Sequence, residues 1–198
     1  MILLIYAHPY PQQSQVNRTL LKAVKDLPDL QIRSLYDLYP DFYIDVEKEQ
    51  AALQMADLII WQHPLYWYHT PALMTLWFEK VLSHGWAYGP EGYAVTGKKL
   101  LWVTTTGGDA NDYGANEPDS MPLNLLSSSI EQTARFCGME WSAPFVVHDA
   151  RLISDDALRR AATDYRLRVK QLAESATLIN GGTSHAWDEC FAVCLDLF

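Results

Sequence analysis

Cysteine is scarce in this 198-residue chain: Cys137, Cys190 and Cys194 are all it has. Three unevenly spaced thiols build no disulfide framework and suit a reducing, cytoplasmic setting. Cys190-x3-Cys194 has only His185 at a distance, and His63 and His69 have no cysteine or carboxylate at ligand spacing, so no metal site is expected. Positive charge is short as well. Fifteen Lys and Arg face 24 Asp and Glu, a net charge of −9. That balance repels nucleic acid and anionic membranes, so neither is an expected partner, but it leaves room for one local nucleotide site. No apolar run approaches the roughly 18 residues of a membrane helix. The apolar start, Met1–Ala7, lacks the basic lead of a signal peptide and runs into His8-Pro9-Tyr10-Pro11, so it reads as a buried strand. Also missing are a G-x-S-x-G elbow, a Walker lysine and a G-x-G-x-x-G after the first strand. These absences count against serine hydrolases, P-loop enzymes and the simple dinucleotide fingerprint.

What is present is an alternation of short apolar runs and helical patterns. Strands are expected at Ile2–Ala7, Leu30–Leu35, Asp57–Gln62, Leu100–Thr105 and within Met139–Val147. Helices are expected from Ser14 to about Leu27, over Val46–Met55 with Asp45 as N-cap, from Pro71 to about Ser83, over Pro122–Cys137, and over Ser154–Ala173 with Ser154 as N-cap. Five strands separated by helices predict an α/β three-layer sandwich with a parallel sheet, of flavodoxin-like order 2-1-3-4-5. In that order a ligand lies beyond the carboxyl ends of the strands, beside strands one and three. Residues 1–175 form the expected domain. Residues 176–198 form a tail whose Trp187, Phe191, Val193, Leu195, Leu197 and Phe198 are too apolar for a solvated linker, so it is expected to dock on the body or on a partner chain.

Three chemically loaded segments each follow a strand, which places them together at one edge. His8-x5-Ser14-x2-Asn17 enters a helix N-terminus, whose free amides suit a phosphate; equally, Ser14 is only an N-cap and His8 only a turn residue. His63-Pro64-Leu65-Tyr66-Trp67-Tyr68-His69-Thr70-Pro71 carries three consecutive aromatics outside a strand, which suits reception of a flat ring, or an apolar interface loop. Thr105-Thr106-Gly107-Gly108 lets the backbone approach a ligand closely, or is an ordinary Gly-Gly turn. Tyr113, further along, is a candidate donor to a flavin or quinone oxygen, or is merely exposed.

Together these residues resemble a known family. The runs Ile5-Tyr6-Ala7-His8-Pro9, Ser14-x2-Asn17, Leu38-Tyr39-Pro40-Asp41-Phe42-x-Ile44-Asp45, Gln62–Tyr68, Ser83-His84-Gly85-Trp86-Ala87-Tyr88-Gly89 and Thr105–Gly108 are similar to those of flavodoxin-like NAD(P)H:quinone oxidoreductases. The similarity is greatest to the KefF/KefG ancillary subunits of glutathione-gated potassium-efflux systems, and it covers about residues 1–175. The resemblance implies bound FMN, with FAD as the alternative. It implies that His8, Ser14, Gln15, Val16 and Asn17 hold the phosphate. Leu65, Tyr66, Trp67 and Tyr68 would line one side of the isoalloxazine, and Thr105, Thr106, Gly107 and Gly108 the other. Tyr113 takes the catalytic position near a flavin carbonyl, with Asp119 standing about where relatives keep a histidine.

The implied reaction is ping-pong hydride transfer from NAD(P)H through flavin N5 to a quinone. Trp67, Tyr68, Trp86 and Tyr88 are the implied walls of the substrate pocket. A homodimer is implied, with the apolar helix 71–83 as interface candidate. The alternative implied role is a regulatory subunit on a potassium/proton antiporter, with a mainly structural flavin. A cytoplasmic chain, peripheral on the inner membrane through such a partner, fits both. A one-electron flavodoxin carrier fits less well, because its phosphate loop is rich in Ser, Thr and Gly.

Overall fold

The computed structural model describes residues 1–114 and 120–180. The expectations on Asp119, His185, Cys190, Cys194 and the tail from 181 lie outside the described residues. Five parallel strands form one sheet: β1 Ile2–Tyr6, β2 Leu30–Ser34, β3 Leu58–Pro64, β4 Lys99–Thr105 and β5 Glu140–Val147. Their order is β2-β1-β3-β4-β5, as expected. The helices are α1 Gln15–Val24, α2 Leu35–Leu38, α3 Val46–Met55, α4 Ala72–Val81, α5 Leu123–Phe136 and α6 Asp155–Asn180.

The period of two along a strand splits the core into two layers. Leu3, Ile5, Ile59, Trp61, Leu100 and Trp102 point to the α3, α4 and α5 side, with Leu53, Met74, Trp77 and Ile130. Ile2, Leu4, Tyr6, Leu58, Ile60, Leu101 and Val103 point to the α1 and α6 side, with Leu20, Tyr165 and Val169. β1 and β3 are buried throughout, which is why they read as unbroken apolar runs.

Several expectations shift at their ends. β3 continues through His63 and Pro64, which pair only with β4; a proline there costs no ladder bond on the side where β1 has already ended. Leu35 opens the short α2 instead of ending β2. The N-caps hold: Asp45 accepts the Lys48 amide at 3.2 Å and Ser154 the Ala157 amide at 3.3 Å. The apolar stripe of α4 (Leu73, Met74, Trp77, Val81) is spent on the core, which leaves only Leu76 and Phe78, both half-buried, for any interface.

Two local features fix outlying elements against the sheet. Glu49 of α3 is fully buried and takes the Arg33 guanidinium (Nε at 2.7 Å), the Tyr39 hydroxyl (2.5 Å) and the Trp77 indole N–H (2.9 Å), so one carboxylate joins β2, α3, α4 and the turn after α2. In edge strand β5 the register against β4 slips between Leu101 and Val103, opposite Ala143 and Pro144. The slip pairs Val147 with Thr105 and brings His148 alongside Thr106.

Candidate active site

The exits of β1, β3, β4 and β5 converge at the carboxyl edge. At the first exit, Ser14 is the N-cap of α1: its backbone is extended (φ −88°, ψ 103°) and its Oγ accepts the Asn17 amide at 3.2 Å. The Gln15 and Val16 amides donate to no described group, so two free N–H groups stand at the positive end of α1. His8 is buried, and its Nδ1 accepts the Tyr10 amide at 3.0 Å. Burial depresses its pKa, so the ring is neutral with Nε2–H as its remaining donor. The Tyr6 hydroxyl, at the end of β1, is buried and has no hydrogen-bond partner. Arg18 and Asp37 are the charges that act on it besides Tyr66. An orphaned donor of this kind is rare in a native interior and calls for an acceptor.

Asn17 has a different job from the other four. Its Nδ2 donates to Thr105 Oγ1 at 3.0 Å, and its Oδ1 accepts Gln62 Nε2 at 3.2 Å. Gln62 Oε1 in turn accepts the Tyr165 hydroxyl at 3.0 Å. This buried chain fastens α1 to β3, β4 and α6, so the amide aligns the helix start and is already committed.

At the second exit, Tyr66 and His69 exchange both backbone hydrogen bonds at 3.0 Å. Trp67 and Tyr68 form the two-residue turn between them, both left-handed, with φ of 51° and 64°. Such turns favour glycine and asparagine; two aromatics there are strained. Neither amide has a described partner, and the side chains are 90% and 53% exposed, with Tyr66 at 38%. Large apolar rings held out by an unfavourable backbone mark a surface that awaits a ligand or a second chain. Beneath the turn, Leu65 N–H donates to Thr105 O at 2.9 Å, which ties the second exit to the third. His63 is fully buried between the Trp102 indole N–H on Nε2 (2.8 Å) and Pro64 O on Nδ1 (2.9 Å). Burial lowers its pKa to about 4, so it is a neutral strut. A cleft of about 430 Å³ opens beside the turn, lined by Tyr68, Thr70, Phe78, Leu126 and Ile130.

At the third exit, Thr105 and Thr106 are buried and Gly107 faces open space. A side chain on Gly108 would meet the Asp112 carboxylate, which would have to shift to make room. The half-buried Tyr113 lies on the same side. Its pKa is raised by burial first and then by Tyr68 and Asp112, so the aromatic turn and the Gly-Gly loop face one another. The fourth exit was missed in the sequence. His148 directly follows β5; its ring lies 5.5 Å from that of Tyr113, and its Nδ1 is 3.0 Å from Thr106 Oγ1. The usable signal was its position, one residue past an apolar strand, as for His8.

Trp86 and Tyr88 are not brought to this edge. α4 runs back across the sheet, so they lie at its amino end, where Tyr88 packs 4.9 Å from Phe136 at the close of α5. The described residues contain no cluster fit to hold a metal.

A model of the flavodoxin-like fold matches residues 1–169. A glutathione-regulated potassium-efflux system ancillary protein, KefF, of Klebsiella aerogenes is 50% identical over 169 residues, or 85% of this chain and 94% of that one. The chain belongs to this flavodoxin-like family. General stress protein 14 of Treponema denticola, solved in complex with FMN, superposes with a TM-score of 0.80 at 34% identity, covering 86% of this chain and 98% of that one. An NADPH-quinone reductase of P. pentosaceus superposes at 0.78 with 28% identity, covering 85% and 96%. No helix among the described residues is long and apolar enough to cross a membrane.

Proposed function

We propose that the chain is an FMN-dependent NAD(P)H:quinone oxidoreductase. The observation that carries this reading is the pairing of unused donors with a strained aromatic turn at one sheet edge. The Gln15 and Val16 amides, the Tyr6 hydroxyl and the His8 Nε2–H lack acceptors near the start of α1. The Trp67 and Tyr68 amides lack them at the turn. A phosphate at the first place and the polar edge of a flat heterocycle at the second satisfy both sets, and these residues fit FMN. Ser14 adds a hydroxyl. Leu65 to Tyr68 line one side of the ring, and Thr105 to Gly108 the other, where the bare Gly107 permits close approach. When bound, the flavin supplies reversible hydride transfer at N5. The protein contributes orientation, exclusion of water and a place for the proton at Tyr113.

We read the order as ping-pong, with the flat NAD(P)H and quinone stacking in turn against the exposed Trp67 and Tyr68. Trp86 and Tyr88, at the far edge, reach such a pocket only from a second copy, so we read the active form as a homodimer that works in the cytoplasm. The protein purified under native conditions should absorb near 450 nm, release FMN on denaturation as identified by mass, and oxidise NADH or NADPH with a soluble quinone on parallel-line initial-rate plots. A colourless protein that takes up no FMN and has no turnover ends this reading.

A second role is favoured by the efflux-system name of the relative that is 50% identical. In it the chain docks as a peripheral subunit on a potassium/proton antiporter. Co-purification that survives Trp67→Ala would assign docking to a surface separate from the flavin. Failure to co-purify with a potassium/proton antiporter of the same organism would remove this role.

A further inference from the structure

At the amino edge of the sheet, away from the candidate active site, a cleft of about 360 Å³ opens between the end of α1 and the last turns of α6. Ile2 of β1, Leu58 of β3 and Leu27 line it with apolar surface, and all three are buried. Lys170, Ala173 and Glu174 of α6 form one wall. A cavity of about 150 Å³ already holds a benzene ring, so this cleft has room for an aromatic side chain. Further back along α6, Leu167 is 52% exposed and lies on the same stripe as Lys170 and Glu174, at i, i+3 and i+7.

The chain supplies an occupant. α6 runs back from β5 to this edge, where Lys99 Nζ, at the start of β4, donates to Ser175 Oγ at 2.8 Å. Residues 181–198 follow α6 directly, and the family match ends at residue 169, so this tail lies outside the shared body. In its sequence Gly181-Gly182 is a helix-stopping pair, Ser184 is an N-cap residue, and Asp188 suits a first turn. Trp187, Cys190, Phe191, Cys194, Leu197 and Phe198 then recur at i, i+3, i+4, i+7, i+10 and i+11, the spacing of one apolar helix face. A helix this short does not hold in water with that face uncovered. We propose that residues 185–198 form a helix that folds back along α6 as an αα-hairpin and covers the cleft. A turn of about four residues sets Phe191 opposite Glu174 and into the cleft, Cys194 beside Lys170, and Leu197 and Phe198 over Leu167. The occupant is this chain's own tail and not a second copy, because so short a turn holds it at an effective concentration on the order of millimolar. The contact clasps the starts of β1 and β3, far from the flavin edge, and stands whether or not the reductase reading does.

The full-length protein tests this, with Cys190 and Cys194 as natural reporters. Lys170→Cys under mild oxidation should form a disulfide within one chain, seen as a faster band on a non-reducing gel and as a cross-linked peptide that carries Cys190 or Cys194. Glu47→Cys, exposed on α3 across the sheet, should form none. Phe191→Asp should lower the urea midpoint by about 0.5 M or more. Leu167→Ser should lower it too, whereas a leucine left in water would tolerate the change almost without effect. A disulfide between two chains overturns the proposal and assigns the tail to a second copy. No disulfide, or one formed as readily from Glu47→Cys, overturns it and leaves the tail to an occupant outside this chain. Unchanged midpoints in both variants overturn it as well.

Discussion

At the scale of single residues, the telling positions are those where the chain accepts a local cost. Trp67 sits at φ 51°, which costs a bulky L-residue about 1 kcal/mol or more, and its side chain is 90% exposed, so little burial repays it. Trp67→Gly should therefore raise stability by about 0.5–1 kcal/mol in urea titration of the flavin-free protein, and weaken FMN retention at the same time. A variant that loses stability would mean the indole is packed in a way its exposure denies. Part of this was legible beforehand: three aromatics between two prolines stood out because a strand or a helix face would not place them so. The left-handed backbone was not legible, because nothing in Tyr-Trp-Tyr-His signals a turn that normally calls for glycine or asparagine. His148 escaped for a different reason. It stands alone after Val147 with no Gly-Gly or aromatic run beside it, so the exit of the fifth strand carries less signal in the sequence than the other three.

At the scale of elements, α3 is bound to its neighbours by charge as much as by apolar contact. Glu49 is buried among Arg33, Tyr39 and Trp77, and the Arg33 side chain is itself only 13% exposed. Removing one partner of such a pair leaves the other uncompensated, which typically costs about 3–5 kcal/mol. Glu49→Gln should lower stability by about 3 kcal/mol in chemical denaturation, and adding Arg33→Met should recover part of that, the signature of direct coupling. If the double variant is no better than the single one, the pair is not what holds α3. No sequence pattern announces this network: its members are scattered from β2 to α4, and a lone Glu in a helix reads as solvated. The helices and strands themselves were readable because each carries its own period and caps. Contacts between elements carry no period. The same limit applies to Trp86 and Tyr88, whose motif is plain while their place at the amino edge follows only from the direction of α4.

At the scale of the whole molecule, acid acts in two opposed ways. Lowering the pH toward the isoelectric point near 5.0 removes part of the −9 net charge and its self-repulsion, which favours the folded state. Against this stand three histidines, His8, His63 and His148, each with a pKa lowered chiefly by burial. A folded pKa below the unfolded value near 6.5 means that the unfolded chain takes up the proton first. The stability such a residue contributes is complete above pH 6.5 and is lost as the pH falls toward its folded value. His63 reaches furthest, to about 4, because it is fully buried and the charged imidazolium would lose its water; the Pro64 carbonyl at Nδ1 pulls the other way without offsetting this. Between pH 6.5 and 4.5 it alone should cost the native state about 2–3 kcal/mol. His63→Gln keeps an acceptor for the Trp102 indole and cannot titrate, so the net-charge effect is common to both proteins and cancels in their difference. Urea midpoints of flavin-free wild type and variant should converge as the pH falls from 7 to 4.5, with the variant weaker at pH 7. Parallel curves would show that the imidazole finds a proton inside the fold, and that the β3–β4 edge beneath the aromatic turn opens far more readily than its burial implies.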